Sequence, residues 1–126
     1  MTILLQYLGL LITHYIADFV CQSHWMASNK SKDNLALLSH VVVYSIVLLA
    51  VSLILFMSMP THLIMLFVLL NGVLHFFTDY VTSRVTSKLY AKQAWHNFFV
   101  VIGLDQLIHQ LTLAGTMIWI FGGSIV

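Results

Sequence analysis

The stretch from His62 to Tyr80, HLIMLFVLLNGVLHFFTDY, carries two patterns at once, and together they decide the fold. It is long and apolar enough to match the roughly 20 residues that a helix needs to cross a bilayer core of about 30 Å. Yet Asn71, His75 and Asp79 recur within it at every fourth position. In a helix that spacing stacks side chains on one face, a turn apart. An ionised group at the centre of a bilayer costs about 2.5–3.5 kcal/mol on insertion scales, so such a face turns towards protein rather than lipid. The stretch therefore reads as a membrane span with an inward polar stripe.

Composition extends this reading to the whole chain. Of 126 residues, 60% are hydrophobic and 7% charged, against about a quarter charged in a soluble domain. Five Lys or Arg and four Asp cannot cover a water-facing surface of this size. Disorder and a broad basic nucleic-acid face are excluded by the same scarcity, so no nucleic-acid partner is expected and the bilayer is. The lone Cys21 permits no internal disulfide and reads as a small buried or interfacial residue. Met1-Thr2 supplies no basic leader region, so the first apolar segment is expected to be a retained helix.

Three more segments qualify as spans: about Ile3–Cys21, Leu35–Met57 and Phe98–Phe121. With the third at His62–Tyr80, the expectation is an all-α polytopic membrane protein. Residues 1–126 would form a single domain of four transmembrane helices, arranged as two helix pairs. The Ser58–Thr61 segment is short enough only for a tight turn, which makes spans two and three antiparallel neighbours. The Val81–Asn97 connection repeats Arg84, Lys88 and Lys92 every four residues, with Val81, Val85 and Leu89 beside them. That pattern fits either an interfacial helix between spans three and four or an extension of the third span. Trp25 and Trp95 fall where interfacial anchors are expected.

All five basic residues lie in the Gln22–Asn34 and Val81–Asn97 connections, which share one side of a four-span chain. The positive-inside rule puts that side in the cytoplasm and both termini opposite.

The ionisable residues within the spans carry the chemistry. His14 and Asp18, His75 and Asp79, and Asp105 and His109 are each four apart, and His40 lies near the start of the second span. At 1.5 Å per residue all seven fall within about 16 Å of the cytoplasmic boundary, which points to one site. A weak internal repeat supports this, because His14–Phe19 and His75–Tyr80 both read His, aromatic, two residues, Asp, aromatic. Imidazole plus carboxylate without thiolate is a ligand set for a divalent metal: Zn first, then Fe or Mn, as one ion or two. Gln22, Asn71 and Gln106 are candidates to orient the ligands. His24, His62 and His96 fall outside the set and read as solvated or interfacial.

These same residues resemble a family. His14-x-x-x-Asp18, Gln22, the stretch Trp25-Met26-Ala27-x-Asn29-Lys30, His40, His75-x-x-x-Asp79 and Asp105-Gln106-x-x-His109 are similar to the bacterial membrane family called domain of unknown function 3307. The resemblance covers nearly the whole chain. It implies a small multi-pass membrane protein of a bacterium or phage and no activity; with the orientation read from the basic residues, the expected location is the bacterial inner (plasma) membrane with both termini periplasmic. A looser likeness of layout is to small membrane-bound metal-dependent hydrolases, by analogy only.

The leading functional expectation is a metal-dependent hydrolase acting on a lipid-like or membrane-associated substrate near the cytoplasmic interface. Asp18, Asp79 and Asp105 would be its catalytic carboxylates. Lys30, Arg84 and Lys88 would bind an anionic lipid or phosphate-bearing substrate, although topology alone also explains a basic rim. The alternative from another class is a divalent-metal or proton transporter using the same cluster, against which the apolar outer halves of the spans weigh. Paired haem-ligating histidines fit less well beside three aspartates. A structural subunit that docks a partner helix is a further reading, and a homodimer is expected on the ground that four helices leave little room for site and substrate.

Overall fold

The computed structural model describes residues 2–125, and the described residues are almost wholly helical. Helix α1 (Ile3–Tyr15) is capped by Thr2, whose hydroxyl accepts from the Leu5 amide. It runs directly into a single π-helical turn, Ile16–Val20, closed by the Cys21 amide donating to the Ile16 carbonyl at 2.8 Å. A short helix α2 (His24–Asn29) follows, capped by Ser23, and then α3 (Asn34–Leu55), capped by the Asp33 carboxylate. Such caps satisfy amides that the first turn leaves without partners. Helix α4 (Thr61–Ala91) starts after Pro60, and α5 (Trp95–Ile125) completes the chain.

Four of these helical segments are long and apolar enough to cross a membrane: Ile3–Val20, Asn34–Leu55, Thr61–Ala91 and Trp95–Gly122. They pack in the order α1, α3, α4, α5 around a bundle, so each touches two neighbours. The α3–α4 seam is close because Gly72 faces Ser45, where a Cβ would come within 2.7 Å of the hydroxyl.

Residues 81–91 continue α4 and do not lie along the headgroups as a separate helix. No glycine or proline breaks the segment, and Thr82 on its inner side is buried against Asp105. The hydroxyl side, and not the basic stripe, decides its direction. Helix α4 ends where Gln93 adopts a left-handed φ of 53°. The Ala94 amide then reaches back to Leu89 and the Gln93 amide to Tyr90, the Schellman pattern that turns a chain sharply. The turn sends α5 back along α4 from Trp95, a turn earlier than its apolar run alone suggests.

The bundle interior has two halves. Leu10, Leu48, Ile64, Leu113 and Met117 fill the half near the Pro60 turn, around the rings of Phe56, Phe67 and Phe121. Phe56 and Phe121 stack at 4.3 Å between ring centroids, and Phe67 closes the trio at 5.5 and 5.9 Å. The other half is polar, and the site lies there.

Candidate metal centre

Each element brings its residues inward by a separate local device. On α4 the four-residue spacing puts His75 and Asp79 on the inner face, and on α5 it does the same for His109 and, at the edge, Asp105. His40 arrives from the second turn of α3. The first span uses the π turn, where an i to i+5 bond re-aims the chain below His14. Asp18 then faces the centre while Phe19 and Val20 face outward. Such single π turns inside α-helices are frequent at functional sites.

Six of the seven expected residues are all but sealed from solvent: His14, Asp18, His40, His75, Asp79 and His109 are each 3% exposed or less. The Asp105 side chain is 15% exposed and opens to a cleft.

Four atoms form the heart of the cluster. The Nε2 atoms of His40 and His75 lie 3.0 Å apart. Asp18 Oδ1 lies 3.0 Å from the first and 3.4 Å from the second. Asp79 Oδ2 lies 3.3 and 3.6 Å from the same two nitrogens. A tetrahedral ion with ligands at 2.0–2.1 Å would have edges of about 3.3–3.4 Å. The five distances fall around that value.

Direction supports the same reading. Asp18 Oδ1 takes no hydrogen bond although two imidazole nitrogens lie so close. Two facing Nε2 atoms, moreover, can share at most one proton between them. Atoms that converge at short range with a single hydrogen bond among them, between His40 and His75, fit a common cation better than they fit one another. The donor set and the distances thus suit a divalent ion, and Asp18, His40, His75 and Asp79 are the residues that would hold it.

Packing holds the rings. His75 is stacked between Tyr44, at 4.0 Å between centroids, and His109, at 4.2 Å. The outer Nδ1 atoms of His14, His40 and His75 have no partner, so these imidazoles are aimed by contact and not by the usual second hydrogen bond.

A second face of the cluster is turned to α5. His109 Nε2 lies 3.0 Å from Asp79 Oδ1 and 3.5 Å from Asp105 Oδ1. Gln106 donates to Asp18 Oδ2 at 3.2 Å and to Asp105 Oδ2 at 3.0 Å, while its carbonyl oxygen lies 3.3 Å from His14 Nε2. Gln106 thus contacts Asp18, Asp105 and His14 at once. Asn71 does not: its amide donates to Thr116 and to the Phe67 carbonyl, one turn deeper. Gln22 lines the cleft with its Oε1 buried and unpartnered.

The cleft has a volume of about 600 Å³ and leads from Asp18, Asp79 and Asp105 along α4 between α2 and α5. Thr82, Ser83, Thr86 and Ser87 form one wall, and Phe98, Ile102 and Phe19 offer apolar surface opposite. Lys30 reaches in from the end of α2, its ammonium donating to Asp79 Oδ2 at 2.8 Å. Burial works against its charge, but the Asp79 and Asp18 carboxylates more than restore it, so its pKa stands above the ordinary lysine value. Arg84 is elsewhere, over the Tyr80 ring and bonded to Asn34 at 2.7 Å, and neither it nor Lys88 lines the cleft.

His24, His62 and His96 are exposed and outside the cluster, and Cys21 is exposed as well. The hydroxyl wall was not anticipated. Its signal was present, because Thr82, Ser83, Thr86 and Ser87 continue the Asn71, His75, Asp79 stripe at helical spacing.

Membrane-length helices around a buried His/Asp cluster, open at one end to a cleft, define a small polytopic membrane protein with an intramembrane candidate metal centre. Within that class the chain belongs to the family described as protein of unknown function (DUF3307), whose profile matches residues 6–124. No curated protein and no solved structure matches the chain.

Proposed function

We propose that the chain is an intramembrane metal-dependent hydrolase acting on a lipid-like substrate at the cytoplasmic interface. The observation that carries this reading is the convergence of ligand atoms from Asp18, His40, His75 and Asp79 at the closed end of a cleft with one hydroxyl wall and one apolar wall. A divalent ion bound there, Zn first by its ligands, supplies a water whose pKa is lowered to about 7.

The chain's own groups do the rest. Gln106 holds Asp18 in place, and the Tyr44 and His109 rings fix His75. The carboxylates of Asp18, Asp79 and Asp105 bound the cleft end of the centre; Asp18 and Asp79 would hold the ion, and Asp105, the most exposed of the three, would take up a proton at the cleft edge. Lys30 meets an anionic oxygen of the substrate, and Phe98 and Ile102 receive its apolar part. All five basic residues gather at the site's end of the bundle, which the positive-inside rule assigns to the cytoplasm.

Purified protein should contain a divalent metal by elemental analysis and hydrolyse a phosphoester lipid in mixed micelles. His75→Ala should lower both by at least a hundredfold, as losing a ligand does. A metal-free preparation with undiminished activity would refute the proposal.

A further inference from the structure

The carboxylates of Asp18 and Asp79 each present one oxygen to the tetrahedral set and turn the other away from it. Asp79 gives Oδ2 to His40 and His75, and its Oδ1 lies 3.0 Å from His109 Nε2. Asp18 gives Oδ1 to the same histidines, and its Oδ2 lies on the side of Gln106 and His14. Beside Asp79 Oδ1, Asp105 Oδ1 stands 3.5 Å from the same His109 Nε2. Asp18, Asp105 and His109 each offer a ligand atom within 4.8 Å of the others.

We propose that Asp105, His109 and the outer oxygens of Asp18 and Asp79 form a second cation site, so that the two aspartates bridge a pair of divalent ions. This rests on the reading of the first set as a metal centre. Carboxylates that face two nitrogen-bearing sites from opposite oxygens suit ions about 3.5–4 Å apart, the spacing of two-metal hydrolytic centres. Asp105 would bind through Oδ1, which also accepts from the Thr82 hydroxyl, while its Oδ2 stays with Gln106, so both neighbours fix the carboxylate from outside.

Electrostatics gives the second ion a consequence. With three carboxylates and the Lys30 ammonium, one divalent ion leaves the cluster formally neutral. Two leave it with surplus positive charge. A phosphate-bearing anionic headgroup offsets that surplus, and a neutral ester does not.

Metal stoichiometry tests the site in detergent-purified full-length protein equilibrated with Zn(II) and, separately, Mn(II). The wild type should saturate at two ions per chain, and its Mn(II) form should show the exchange-coupled resonance of a bridged pair. His109→Gln and Asp105→Asn should each retain one ion and show the spectrum of isolated Mn(II). Saturation of the wild type at a single ion, or an uncoupled spectrum at two, would overturn the second site and leave the first standing. No bound ion at all would overturn both. The wild-type spectrum decides the matter even where a variant fails to fold.

Discussion

At the scale of single residues, Lys30 is the most informative. It stands outside the apolar spans, yet its ammonium lies on the Asp79 oxygen that completes the tetrahedral set. A cation there repels an arriving ion, since like charges a few ångströms apart interact strongly in a low-dielectric setting. Lys30→Gln should therefore raise the apparent Zn(II) affinity by roughly tenfold, or about 1.4 kcal/mol, read by competition with a chelating dye. It should also weaken turnover of an anionic substrate. A pKa raised in the folded protein keeps lysine charged, and its stabilising contact intact, below its ordinary value of 10.5, with loss only as pH rises beyond it. In the ion-free protein the stability lost in Lys30→Gln should thus be the same at pH 7 and pH 9 in a detergent unfolding assay. Sequence alone placed Lys30 in a basic rim, because a connection's length does not reveal where a flexible side chain reaches.

The π turn at Ile16–Val20 matters most among the elements. It accommodates one residue more than an α-helical turn, which lets Asp18 face the centre. Deleting Ile16, a lipid-facing residue, should restore plain α geometry and leave Asp18 only three residues after His14, turned off the cluster while the residues beyond the turn keep their register. Ion binding should fall at least a hundredfold while the circular-dichroism helix signal is kept. Retained stoichiometric binding would show that the turn is incidental. The four-apart spacing of His14 and Asp18 was visible in the sequence; the π turn was not, since it depends on a small energetic preference set by packing against α3 and by the Asp18 contact with Gln106. For residues 81–91 the pattern fitted two geometries equally. Burial of Thr82 against Asp105 chose the continuous helix.

At the scale of the whole molecule, the bundle is closed at one end and open at the other. The Phe56, Phe67 and Phe121 rings fill the half beyond the site, with no cavity passing between them among those described. Reconstituted vesicles should therefore show no protein-dependent Zn(II) or proton flux. Measurable flux would favour transport over hydrolysis. Phe67→Ala should destabilise the bundle by about 3–5 kcal/mol in a reversible detergent unfolding assay, as large aromatic truncations in cores do. Orientation has its own test in the exposed Cys21, at the site's end of the bundle. An impermeant maleimide should label it in inside-out membrane vesicles and not in spheroplasts.

The sequence by itself determined the four spans, the end at which the basic residues gather and the identity of all seven cluster residues. These follow from composition and helical periodicity, both local properties of a chain that must satisfy its backbone within lipid. Only the tertiary structure decided how the seven divide. Asp18, His40, His75 and Asp79 bring four ligand atoms together, Asp105 and His109 stand on the α5 side of them, and His14 turns to Gln106. Asn71 bonds a turn deeper, and of the basic candidates Lys30, Arg84 and Lys88 only Lys30 reaches the cluster. Periodicity specifies which face of a helix a residue occupies, whereas which oxygen meets which nitrogen depends on how four helices are spaced and rotated, and that is settled by packing.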